Sequence, residues 1–159
     1  MLVGQRLPLA VSLGVAGVLS LLQLMRWRPI AVRGNPLLWI LYAGHAGLGI
    51  GLMVSGAVAA GADLPRALPV HLIAMLGLSV LIIGMVTRTA LGHLGRPLTT
   101  DRSMLASYVL LLAAGALRLA AIVPSRFSEP ALELSAATWI AALAVYLWRF
   151  APLLIRPRE

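Results

Sequence analysis

The side chains best suited to chemistry are three histidines, His45, His71 and His93, and two arginines around the last of them, Arg88 and Arg96. His71 heads the stretch HLIAMLGLSVLIIGMVTRTALGHLGRP, which closes on Arg-x-x-x-x-His-x-x-Arg. A helix rises about 1.5 Å per residue, so His71 and His93 are expected roughly 33 Å apart, near one hydrocarbon thickness. One spanning helix would then present an imidazole at each membrane face. Histidine is the commonest metal ligand, and an ionisable group within a span is a functional candidate by default. Met75 follows His71 by one turn on the same face. A His/Met pair suits haem or copper ligation, although methionine is equally ordinary packing filler. Arg88 and Arg96 carry the forked donors that hold carboxylates such as haem propionates; the plainer reading is interfacial anchoring on phospholipid.

His45 falls about a third of the way into the preceding apolar segment, a depth that is costly unless the ring is paired or ligated. It is expected to be a metal ligand, a proton relay, or a neutral histidine bonded to a neighbouring helix. Geometry restricts shared sites. His71 and His93 lie at opposite faces, and His45 and His93 differ in expected depth by about 13 Å. Complete ligation of one metal therefore points to a second copy of the chain or a partner membrane subunit.

These residues sit in five apolar segments, about 7–25, 36–60, 69–91, 103–123 and 130–150. Pro36 suits a first helical turn, Thr99-Thr100-Asp101 is capping material, and Ser128-Glu129-Pro130 is a start signal. Hydrophobic residues make up 60% of the 159 positions and charged residues only 11%, which places the chain among membrane proteins. The expected fold is all-α: a single polytopic transmembrane bundle over residues 1–159, embedded in lipid, without a separate soluble domain.

The net charge of +8 rests on arginine alone, as there is no lysine. Nine arginines fall on one side of the expected topology: Arg26, Arg28, Arg33, Arg88, Arg96, Arg102, Arg149, Arg156 and Arg158. That side is read as cytoplasmic, with the N-terminus outside and the C-terminus inside. The arginines are dispersed among short loops and not interleaved with aromatics, so nucleic acid is not an expected partner. The N-terminal segment reads as a retained span, with no Ala-x-Ala cleavage site.

Other features read as structural. Ala43, Gly47, Gly51, Ser55 and Ala59 form a row of small residues for close helix packing, while His45, Gly49 and Met53 mark a second face. Arg118 is expected to pair with Glu133 at similar depth, since an unpaired arginine in a span is costly. The tryptophans, with Tyr108 and Tyr146, read as an interfacial belt. Too few polar residues lie within the spans to line an aqueous path or a proton chain, and there is neither a phosphate loop nor a Ser/His/Asp grouping. Without cysteine, disulfides, Fe–S clusters and covalent c-type haem are excluded.

The block from His71 through Met85-Val86-Thr87-Arg88 to Leu91-Gly92-His93-x-Gly95-Arg96-Pro97-Leu98 resembles the NnrS family of bacterial membrane proteins. Asn35-Pro36-Leu37-Leu38-Trp39-Ile40 and Ala151-Pro152-Leu153-Leu154 add similarity. The chain resembles the C-terminal portion of these longer proteins. It departs from their pattern at Leu94 and in the order of Tyr42 and His45. The resemblance implies a haem- and copper-containing protein of the bacterial inner membrane, linked to nitric oxide metabolism. It implies metal ligation at His71 and His93, with His45 as a further candidate and Arg88 and Arg96 on propionates. The haem would be b-type, and copper is a second candidate metal. The alternative is a cofactor-free accessory subunit of a larger respiratory membrane complex.

Overall fold

A computed structural model of the chain describes residues 6–155, apart from the side chain of Leu154. Arg156, Arg158 and Glu159 lie outside the described residues. Five helices are long and apolar enough to cross a membrane: α1 (Arg6–Arg26), α2 (Pro36–Ala59), α3 (Ala67–His93), α4 (Arg102–Ala120) and α5 (Ser128–Ile155). A short 3₁₀ turn, Pro29–Val32, joins the first two. The chain is a multi-pass, all-helical membrane protein. Its helix ends follow the expected boundaries to within a few residues. The exception is α5, which runs on to Ile155 with Pro152 inside it. That proline removes the bond to the Trp148 carbonyl, but it lies in the last turn, so only the end of the helix is affected.

The caps follow local chemistry. The Asn35 side chain accepts from the Leu37 N–H at 3.1 Å ahead of Pro36. Asp101 accepts from the Met104 N–H at 2.9 Å and opens α4. Each satisfies a donor that the first helical turn leaves orphaned. At the far end of α3 the Arg96 N–H donates to the Leu91 carbonyl (2.9 Å) and the Gly95 N–H to that of Gly92 (3.1 Å). Gly95 has a φ of 64°. This is a Schellman stop, with the left-handed residue where glycine costs least and Pro97 just beyond.

α1 packs on α2, α2 on α3, and α5 on α4, with α3 also meeting α4. Ile40, Val80, Ile83, Tyr108, Leu111 and Ala142 form the largest buried cluster. Leu37, Leu91, Met104 and Phe150 form a second one toward the arginine-rich end. Tyr108 is fully buried, edge-on to Trp39 with ring centroids 6.3 Å apart, so it belongs to the core and not to the interfacial belt. Apolar side chains elsewhere face outward, as lipid requires.

Helix contact depends on glycine. Gly44, Gly47 and Gly51 of α2 face α3, where a Cβ on Gly47 would collide with the Leu76 carbonyl. Gly49 and Gly56 face α1; a Cβ on Gly56 would come within 2.8 Å of the Ala10 carbonyl oxygen. Small residues therefore serve close backbone approach on two faces of α2. Opposite the first face, α3 widens into a π-helix over Leu72–Ser79. The Ser79 hydroxyl follows the same widened pattern, donating to the Ala74 carbonyl at 2.8 Å.

Candidate functional site

The three histidines occupy three separate environments. His45, on the α2 face toward α1, lies 3.0 Å from the Ser20 hydroxyl through Nε2. Trp27 packs on its ring at a centroid distance of 5.2 Å. The Tyr42 hydroxyl donates to the Trp27 carbonyl, which fixes that tryptophan at the end of α1. Of the three readings open to His45, this geometry is that of a histidine bonded to a neighbouring helix.

His71 lies in the first turn of the π segment's approach, facing α4. Arg118 Nε donates to His71 Nε2 at 3.2 Å. An imidazole nitrogen that accepts is unprotonated, so the ring is neutral with its proton on Nδ1. The expected Arg118–Glu133 ion pair is not formed. The one ion pair among the described residues joins Arg149 to Asp101. The reason is helical phase. Leu132, Ser135, Ala136 and Trp139 line a cleft of about 240 Å³ that also holds His71, Met75 and Arg118. Those α5 positions share one face at i, i+3, i+4 and i+7. Glu133 is off that face and exposed. A helical wheel anchored on buried Ser135, which donates to the Ala114 carbonyl at 2.8 Å, carries this information.

His93 ends α3 at the opposite, arginine-rich end. It lines a cleft of about 670 Å³ between α3 and α5, with Met85, Thr89, Tyr146, Leu147 and Phe150 among the walls. Tyr146 and Phe150 stack at 4.6 Å between centroids and 23° between planes, giving one wall a flat aromatic surface. Tyr146 is therefore a wall of this cleft and not part of the interfacial belt expected from sequence. The i, i+4 spacing of Tyr146 and Phe150 is the sequence signal for that wall. Arg88 is half-buried one turn before His93, and Arg96 is exposed just beyond the Schellman stop.

Arg149 reaches across to Asp101 at this same end. Burial pushes the Asp101 carboxyl up, but the Ser103 hydroxyl, the Met104 N–H and Arg149 outweigh it and hold the group at about 2. The pair ties the start of α4 to the last part of α5, the helix that carries one wall of the His93 cleft.

No three His, Cys, Asp or Glu side chains converge on a common point among the described residues. The donor set thus offers single imidazoles in separate places. One imidazole bordering an apolar cleft fits a haem held by a single protein ligand.

No curated protein and no solved structure matches the chain. The family model described as NnrS protein matches residues 1–158, nearly the whole sequence, and the chain belongs to the NnrS family.

Proposed function

We propose that this protein binds haem in the bacterial inner membrane and acts in nitric oxide handling or a related respiratory electron transfer. Family membership supports the association with nitric oxide. The observation that carries the haem reading is the His93 cleft, where an imidazole stands at the edge of an apolar, aromatic-walled space of about 670 Å³. That volume is in the range of small-molecule and cofactor sites. His93 would hold the iron, with Tyr146 and Phe150 packing a macrocycle and Arg88 and Arg96 close enough in sequence to meet its carboxylates. Bound haem would supply an open coordination position for a diatomic ligand. His71 and His45 are further ligand candidates, and Arg118 and Ser20 lie within hydrogen-bond distance of their Nε2 atoms. Copper would draw on ligands from another copy or a partner subunit. The arginine-rich end faces the cytoplasm in this reading.

The test is an oxidised-minus-reduced optical spectrum of the detergent-purified chain with pyridine haemochrome quantification. Sharp b-type bands, lost in His93→Ala and retained in His45→Ala, are expected. Retention of those bands in His93→Ala would move the ligand elsewhere.

One observation favours a second reading, a cofactor-free subunit packed on a larger respiratory complex. Only 11% of the most apolar stretch of both α1 and α5 is buried inside the chain, which leaves two long outer faces for lipid or another protein. A featureless spectrum after haem-replete expression, together with co-purification on a defined oxidase or reductase, would establish that reading and sink the first.

A further inference from the structure

The geometry points to a binding site for a small oxyanion at Arg118, in the cleft between α3, α4 and α5. The inference is independent of haem binding at the other end of the molecule. Arginine stays protonated in any protein environment, and Arg118 lies in the last turn of α4. Its Nε is taken by His71, a neutral acceptor that leaves the positive charge uncompensated. No carboxylate is at ion-pair distance among the described residues, where Arg149–Asp101 is the sole pair. The four remaining N–H groups of the guanidinium are open to an acceptor. The half-buried side chain borders a cleft of about 240 Å³ walled by Met75, Leu132, Ala136 and Trp139. Ser135, also at the cleft, spends its proton on the Ala114 carbonyl, so it neither repels nor neutralises the arginine.

A cation beside apolar walls is stabilised most by an anion that meets it directly. The guanidinium fork matches two oxygens in one plane, as in a carboxylate or another triatomic oxyanion, or two oxygens of a phosphate. The cleft is too small for a macrocycle but has room for such an ion. Two sources share this chemistry: a free oxyanion from solution and the phosphate of an anionic lipid headgroup. His71 acts here as a positioning residue, since it holds Nε and so turns the other donors toward the cleft.

Trp139 provides the readout. The full chain, with Trp27, Trp39 and Trp148 replaced by phenylalanine, is placed in phosphatidylcholine nanodiscs and titrated with sodium formate over a constant sodium chloride background. A saturable change in Trp139 emission is expected, with affinity at least about tenfold weaker in Arg118→Gln and intermediate in Arg118→Lys. Ala136→Leu, which keeps the charge and fills the cleft, should weaken the response by a similar factor. A Trp139 response to phosphatidylglycerol in the nanodisc, lost in Arg118→Gln and without a formate response, would assign the site to a headgroup. The proposal is overturned if neither probe gives a saturable response in the parent chain. It is equally overturned by a response that survives unchanged in Arg118→Gln or in Ala136→Leu.

Discussion

Arg118 Nε and His71 Nε2 are joined at 3.2 Å across α4 and α3, residues 47 apart in sequence. The bond orders both side chains at one end of the bundle, and it identifies the tautomer of the histidine. It also predicts how the pair responds to mutation. His71→Leu removes the acceptor and leaves a charged donor over apolar walls, a loss expected at about 1–3 kcal/mol. His71→Gln keeps an acceptor and should lose less than half as much. His71→Leu with Arg118→Leu should cost less than the sum of the single changes, because no orphaned donor remains. Reversible unfolding in mixed micelles gives these values, and strict additivity would mean that the two side chains are merely neighbours.

Two glycines three residues apart at the end of α3 should respond in opposite directions. Gly92 is helical, and a Cβ there meets nothing within 4 Å. Gly92→Ala should therefore stabilise by about 0.5–1 kcal/mol, because it lowers the entropy lost on folding. Gly95 holds φ at 64°, so Gly95→Ala should destabilise by about 1–2 kcal/mol. Thermal melts followed by circular dichroism check both signs. If Gly95→Ala is neutral, the left-handed stop does not set where α3 ends.

The same stop bears on what the sequence could tell. The Leu91-Gly92-His93-x-Gly95-Arg96-Pro97 block carries the family resemblance, and part of it is helix punctuation: Gly95, the Arg96 N–H and Pro97 end the helix that presents His93. The five spans were legible because apolar length, proline and capping residues are local signals. What α3, α4 and α5 show each other was not. Small residues spaced by four drift about 40° around a helix at each step. Of the expected row, Gly47 and Gly51 meet α3, and Gly44, which lies outside the row, joins them there. The π segment at Leu72–Ser79 shifts phase again. An α-helical period counted from His71 therefore misplaces what lies beyond it. Arg118 was matched to Glu133 by depth alone, and facing, which decides contact, needs a known buried neighbour such as Ser135.

Packing of α2 on α3 gives the next prediction. Gly47 sits against the backbone of Leu76 and Gly77, which cannot give way as a flexible side chain would. Gly47→Ala should cost about 1–3 kcal/mol through helix displacement. Gly14→Ala is the control, since a Cβ at Gly14 meets nothing within 4 Å. Unfolding of the two variants in the same micelles should separate them clearly. Equal stabilities would show that α2 and α3 can move apart without loss.

Asp101 governs stability in acid. Its folded value of about 2 lies below the ordinary carboxylate value of 3.8. A depressed carboxylate contributes stability that is fully present above the unfolded value and is lost as pH falls through the folded one. The window therefore runs from about pH 4 down to about pH 2. The side chain is 39% exposed, so solvent screening reduces the contribution to about 1 kcal/mol. Asp101→Asn retains a good cap and removes the charge. Its melting temperature should fall below that of the parent by a constant margin at neutral pH, and the margin should close as pH approaches 2. Asp101→Ala loses the cap as well and should remain less stable, by about 1 kcal/mol, even where the carboxyl is protonated. A margin between parent and Asp101→Asn that does not change with pH would place the effect in the cap alone and remove Arg149 from it.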